Sequence, residues 1–235
     1  MKPCIIKQPA GIGDVFFCQK IARVMMNREY QVIWPLRPDI VWIREYIPNI
    51  YFPSVDDVFP GKEIFDTAAG FAIEETGAFI SIATADLTHN DGKIMSSKYS
   101  MLGIDFSDWQ DYFHFDRNLD KENELYYNVL GLTDDAEFIF INNLYNTDIK
   151  NSNLFSKNNF DLPVVELKII DGFTLFDWCK VLERAKKIHT INTSINYIIE
   201  VIDTLYDEYV IYAHDERNKS EIDYLFKKPH TMLCK

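Results

Sequence analysis

The residues that most constrain the fold open the chain: CIIKQPAGIGDVFFCQKIARVMM, an apolar strand from Cys4, a turn carrying Gly11 and Gly13, then a helical pattern that Asp14 enters. Strand, glycine turn and helix in that order build a pocket at a helix N-terminus, where unpaired N–H groups and the helix dipole hold polar or anionic ligands. The pattern departs from the dinucleotide fingerprint. Three residues beyond the second glycine stands Phe16, where that motif needs a third glycine so that helix and strand can close on a pyrophosphate. The residue straight after Gly13 is acidic. A carboxylate at Asp14 repels a phosphate placed on the same N–H groups, so the pocket is expected to receive a neutral hydroxyl compound. Such a carboxylate is available to take a proton; the alternative is that Asp14 only caps the helix.

Beyond the first helix the elements alternate. QVIWPL (31–36) reads as a strand, DIVWIREYI as a short helix, NIYFPSV as another strand before the turn at Pro60-Gly61, and GAFISIAT (77–84) as a buried parallel strand. The alternation predicts βαβ units and a parallel sheet, in an α/β layer ending near residue 85. Residues 86–117 are polar and then aromatic, with little periodicity, and read as a functional or connecting segment. Asp86, His89 and Asp91 follow the end of a predicted central strand, where ligands of open α/β sheets collect. Asp86 and His89 are therefore candidates to hydrogen-bond an acceptor, with a solvated loop as the alternative.

LDKENELYYNVLGL (119–132) reads as an amphipathic helix that carries the chain into a second domain. There FIFINNLYNT (138–147), VVELKII, the run before Asn192 and YVIYAHD (209–215) read as strands, and EIDYLFKK as a terminal helix. FTLFDWCKVLERAKK (173–187) places Leu175, Trp178, Cys179, Leu182 and Ala185 on one helical face, which makes them core residues.

Composition narrows the function classes. A chain of 235 residues that is 47% hydrophobic buries a sizeable core, and two small domains fit that length best. A net charge of −12 with no Lys/Arg cluster argues against nucleic acid and against an anionic membrane surface. Cys4, Cys18, Cys179 and Cys234 are far apart and fit none of the paired spacings of a zinc site, and nothing completes a metal site around Asp86, His89 and Asp91. With no secretory signal pattern and no apolar run of membrane-spanning length, the expected location is the cytoplasm.

GIGDVFFCQKIARVM resembles the segment with which ADP-heptose:lipopolysaccharide heptosyltransferases and related GT-B glycosyltransferases begin. KKIHTINTSINYIIEVID (186–203) supplies a second match, in the right place downstream. Family members carry a strand there, then Asp-Thr-Gly or Asp-Thr-Ser, then a helix set against the nucleotide-sugar donor. This chain has Asn192-Thr193-Ser194, with Asn in place of the usual Asp, and Tyr197 where a His is common.

The resemblance implies an α/β, GT-B-like fold of two small Rossmann-like domains with parallel sheets flanked by helices. The acceptor domain would cover 1–117 and the nucleotide-sugar domain 118–235. It implies Asp14 as the base that deprotonates an acceptor hydroxyl, beside Gly11 and Gly13. It sets Thr193 and Ser194, with Asn192, against a diphosphate; as residue types both hydroxyls also cap helices. Asn142, Asn143, Lys150 and Lys157 are positional candidates for the donor phosphates. The implied reaction is an inverting, metal-independent transfer with the nucleotide-sugar as donor substrate and no other cofactor. The Asp-to-Asn and His-to-Tyr departures keep a second reading open, a sugar- or nucleotide-binding module or assembly component without turnover. An NAD-dependent enzyme fails on the missing third glycine, and Asp39, three residues past the second strand, does not rescue it.

Overall fold

Two sheets, each begun by a short apolar strand, organise the chain. In the computed structural model residues 1–58, 70–74, 77–82, 93–144 and 160–234 are described. The chain divides into a first unit, Met1–Asp116, and a second, Arg117–Lys235.

In the first unit β1 (Lys2–Lys7) leads through the glycine turn into α1 (Ile12–Phe17) and α2 (Gln19–Asn27). The single helix expected here is broken at Cys18, whose backbone (φ −84°, ψ 5°) leaves the helical path. β2 (Tyr30–Ile33) follows, and a 3₁₀ turn at Val41–Glu45 stands for the predicted short helix. The strand expected at 49–55 is reduced to isolated parallel bridges, Ile33 to Tyr51 and Leu36 to Ser54. Pro35 and Pro53 lack the N–H groups that a continuous ladder needs. A short α3 (Val55–Val58) ends that stretch, and β3 (Gly70–Glu74) and β4 (Gly77–Ser81) then pair antiparallel. The sheet order is β2-β1-β4-β3, with β1 parallel to both of its neighbours. β4 is thus the parallel strand read from GAFISIAT, but it carries an antiparallel edge partner, β3, with no counterpart in the sequence reading.

Residues 93–116 differ from the connecting segment expected of them. They supply α4 (Ile94–Ser100), a 3₁₀ turn at Trp109–Tyr112 and much of the unit's aromatic core. Phe16 stacks on Phe113 at 4.6 Å, and Phe17 meets Tyr99 and Trp109 edge-on at 4.9 and 5.6 Å. The Tyr99 hydroxyl donates to the Phe17 carbonyl, so a buried phenol is also satisfied. Each aromatic pair adds about 0.5–1.5 kcal/mol beyond the area it buries, which fixes α1 and α4 against one another. Lys20 on α2 secures the same face by donating to the Asp105 carbonyl at 2.6 Å and pairing with Asp108.

The second unit opens with α5 (Leu119–Asn123), capped by the Asn118 side chain accepting from Lys121 N–H at 3.1 Å. A π-helical turn, Glu124–Val129, extends it to Gly131, whose φ of +64° ends the helix where the sequence placed the stop. Arg117 bonds both Glu122, 1% exposed, and Glu183, tying the unit's first residue to α6. β5 (Ile139–Asn142), β6 (Val164–Glu166), α6 (Cys179–Arg184), β7 (Lys187–Ile191), α7 (Ile195–Val201), β8 (Glu208–Ala213), α8 (Glu216–Ile222) and β9 (Thr231–Cys234) complete it. All neighbours in the order β6-β5-β7-β8-β9 are parallel. Trp178, Cys179, Leu182 and Ala185 are buried as predicted, while Leu175 is half-buried. The terminal helix read from EIDYLFKK starts five residues earlier than expected, and a last edge strand, β9, follows it. Among the described residues no helix is long and apolar enough to cross a membrane.

Candidate functional site

Chain order determines where each sheet opens. From β1 the chain passes to β2 on one side and later to β4 on the other; from β5 it passes to β6 on one side and to β7 on the other. Crossovers leaving in opposite directions part the loops at the carboxyl ends of the two strands concerned. Open α/β sheets bind their ligands in such crevices.

The strand order puts the first unit's crevice, by this rule, between the ends of β1 and β4. Gln8 follows β1, and Gly11 makes the turn with φ +82°, a conformation that favours glycine. A Cβ built on Gly11 would overlap Asp14 Oδ2, so the absence of a side chain is what lets that carboxylate fold back over the turn. Gly13 lies within α1 and needs no such conformation. Asp14, the third residue of α1, does not act as its cap; Gly11 holds that position without a side-chain bond. The carboxylate turns instead to Lys98 of α4, with Oδ1 2.8 Å from Nζ. The Asp14 side chain is 29% exposed and within reach of a ligand, whereas that of Lys98 is 2% exposed. The same ammonium donates to Gln8 Oε1 at 2.7 Å and to the Ile82 carbonyl, just past β4, at 2.8 Å. Burial pushes the neighbouring Cys18 thiol up to about 12, with Lys98 drawing it down and Asp14 pushing it up. Cys4 in β1 is likewise raised by burial, to about 11, so neither thiol is a nucleophile near neutral pH.

The same rule puts the second unit's crevice between β5 and β7. Asn142, the buried last residue of β5, donates from Nδ2 to Thr193 Oγ1 at 2.8 Å and accepts from Leu144 N–H at 2.9 Å. A hydroxyl that accepts one bond keeps its own hydrogen to donate, so Thr193 remains a donor toward a ligand. Thr193 and Ser194 do not cap α7 with their side chains; Ser194 stands at the N-cap in helical geometry with no side-chain bond. The loop is made rigid from beneath by Asn196, which accepts from Thr190 Oγ1 at 2.6 Å and Tyr209 Oη at 3.1 Å and donates to the Ile191 carbonyl at 3.2 Å. Burial raises the Tyr209 phenol well above its ordinary range and keeps it a donor. Asn192 is held by the Tyr212 carbonyl at 3.1 Å and by Asn218 Oδ1 at 3.4 Å. Asn143 reaches Glu166 at 3.4 Å. Tyr197 packs edge-on against Phe226 at 5.3 Å, which makes it a core residue.

The structure thus brings Asp14 to one crevice and Asn142 with Thr193 to the other. Asp86, His89, Asp91, Lys150 and Lys157 lie outside the described residues. Among the described residues no group of three or more His, Cys, Asp or Glu side chains could hold a metal ion. Sequence reasoning missed Lys98, Gln8 and Asn196. A signal for Lys98 does exist: Ile94, Lys98, Met101 and Leu102 follow helical spacing, so the lysine falls on an apolar stripe.

No family model matches the chain, and neither does any curated protein. Among solved structures it is similar to the glycosyl transferase family 9 protein from Veillonella parvula DSM 2008, at 12% identity and a TM-score of 0.58, covering 100% of this chain and 86% of that one. It is also similar to TibC, a bacterial iron-containing dodecameric glycosyltransferase from enterotoxigenic E. coli H10407, at 12% identity and a TM-score of 0.53. That match covers 99% of this chain and 62% of TibC, so the chain spans less than two thirds of that relative. TibC in complex with ADP-D-beta-D-heptose, there described as a heptosyltransferase, matches at 11% identity and a TM-score of 0.51, covering 99% of this chain and 62% of that one. At these identities the likeness is one of fold: the chain has the α/β fold of these glycosyltransferases, as the two motifs implied.

Proposed function

We propose that the chain transfers a sugar from a nucleotide-sugar to the hydroxyl of a carbohydrate acceptor. The first unit takes the acceptor at the crevice between β1 and β4, and the second takes the donor at the crevice between β5 and β7. Asp14 removes the proton of the acceptor hydroxyl, and that oxygen attacks the anomeric carbon from the face opposite the leaving group. The bond to the diphosphate oxygen breaks, the nucleoside diphosphate leaves with its electron pair, and the configuration inverts. Thr193 and Ser194 donate hydroxyl hydrogens to the departing diphosphate, and no step is routed through a metal. TibC has been solved with ADP-D-beta-D-heptose, so ADP-heptose heads the donors to be tried. The four free cysteines support a reducing compartment such as the cytoplasm.

The observation that carries this reading is the Asp14 carboxylate: it sits in the switch crevice of its sheet, is partly exposed, and is not used as a helix cap. Asn192, in place of the family's usual Asp, favours a second reading, a module that binds nucleotide or sugar without turnover. A thermal-shift screen against ADP-, GDP-, UDP- and CMP-sugars, followed by a transfer assay with the sugar that binds, separates the two. A ligand that binds only the native state raises its melting temperature by mass action. Transfer supports the enzyme, binding without transfer supports the module, and binding of none of the panel contradicts both.

A further inference from the structure

The Lys98 side chain is only 2% exposed, and its ammonium is set among three oxygens. An ammonium has three donors and no acceptor. Here Nζ forms an ion pair with Asp14 Oδ1 at 2.8 Å, and it donates to Gln8 Oε1 at 2.7 Å and to the Ile82 carbonyl at 2.8 Å. The second of these partners is itself fixed. Gln8 Nε2 donates to the Ala10 carbonyl at 2.6 Å, which only accepts, while the ammonium only donates; the amide therefore has one orientation that satisfies both ends. The Gln8 main-chain carbonyl in turn accepts from the buried Trp34 indole at 2.9 Å. Position is thus transmitted from Trp34 through Gln8 to Lys98 and on to Asp14. The third partner, Ile82, stands at the end of β4, so one ammonium pins the ends of both strands that form the crevice.

We propose that Lys98 is a positioning residue for Asp14: anchored by Gln8 and the Ile82 carbonyl, its buried ammonium holds the carboxylate at the crevice by ion pairing and acts on an acceptor only through it. The proposal rests on the glycosyltransferase reading for its chemistry and on the first unit's geometry for its structure. A misplacement of about an ångström at a reacting group lowers rates by up to about a hundredfold, which sets the scale of the effect.

The test compares Lys98→Met, Asp14→Asn and the double variant in transfer rate and in calorimetric affinity for ADP, and follows the Lys98 ammonium by ¹⁵N NMR. Lys98→Met is expected to lower kcat by roughly tenfold to a hundredfold with ADP affinity unchanged. The double variant is expected to be no slower than Asp14→Asn alone, because residues acting as a unit are not additive. The wild-type ammonium should give a slowly exchanging signal that Asp14→Asn moves and added ADP does not. Should Lys98→Met fail to fold, Gln8→Met leaves the ion pair in place and is expected to show the same pattern with a smaller fall in rate. Weakened ADP binding in Lys98→Met, an ADP-sensitive ammonium, a signal lost to rapid exchange, or a double variant slower than Asp14→Asn by the full factor of Lys98→Met each overturns the proposal. A wild type that transfers no sugar removes the glycosyltransferase reading, and the NMR arm then decides the positioning role alone.

Discussion

At the crevice of the first unit a buried ammonium meets a carboxylate, whereas at the crevice of the second an amide meets a hydroxyl. The second unit does have an ion cluster around the buried Glu122, but Arg117, Glu122 and Glu183 stand before α5, on α5 and on α6, not on the loops that follow β5 and β7. Among the described residues both units bury charge, and the first brings a buried charge to its ligand edge. A carboxylate with one oxygen held and a partly exposed side chain suits proton removal. Neutral hydroxyl donors suit a diphosphate, since they offer hydrogens without bringing a negative charge close to it.

The largest expected effect tests whether the second unit's charges serve stability alone. Arg117→Met leaves the Glu122 carboxylate buried and unpaired, which is expected to cost about 3–5 kcal/mol in chemical denaturation, while ADP affinity of the folded protein is retained. Lost ADP affinity in a protein that still folds would erase the contrast. In the first unit Gly11→Ala forces φ +82° on a side-chain-bearing residue, at about 1–2 kcal/mol, and displaces Asp14 Oδ2. Steady-state kinetics is expected to show transfer reduced by roughly tenfold to a hundredfold with ADP affinity unchanged, because the carboxylate moves and the donor crevice does not.

At the second crevice the effects are smaller and of the opposite kind. Replacing Thr193 and Ser194 together by Ala removes two neutral donors at about 1 kcal/mol each, so calorimetry is expected to show ADP binding weaker by about tenfold or more. Unchanged affinity would remove these two residues from the donor site. The mildest effect lies on the face of the second sheet. Burial lowers the His189 pKa from its ordinary 6.5, against the opposing pull of Glu208. With the folded value depressed, the unfolded chain takes the proton first; stability is intact above pH 6.5 and declines as pH falls from there toward the folded value. His189→Gln should flatten the fall in melting temperature between about pH 7.5 and pH 5.5 without changing ADP affinity. An unchanged slope means that other groups set it.

The parts of the site that were legible in the sequence are those written in consecutive residues. Gly11 needs its positive φ because of the turn it makes, and Asn192-Thr193-Ser194 follows β7 directly, so each motif carries its own geometry. Lys98 carries a weaker signature, its place on an apolar stripe, which does not say what it pairs with. Its partner Gln8 is 90 residues away and Ile82 is 16 away, so the contacts that fix its role are not written near it in the sequence. The capping roles weighed as alternatives for Asp14, Thr193 and Ser194 are not taken up, for a related reason. Composition shows that a side chain can cap, but only tertiary contacts show that Lys98 has claimed the carboxylate. The aromatic run before Arg117 misled in the same way, since Tyr99, Trp109 and Phe113 lack a helical period yet converge on Phe16 and Phe17.

The central claim is that the first crevice holds a base, and the rate of sugar transfer by Asp14→Asn tests it most directly. Asn keeps the size of the side chain and its place beside Lys98 while removing the capacity to accept a proton. Transfer is expected to fall by about a hundredfold or more, the usual share of general-base catalysis, with ADP affinity unchanged. Transfer at the wild-type rate would contradict the account.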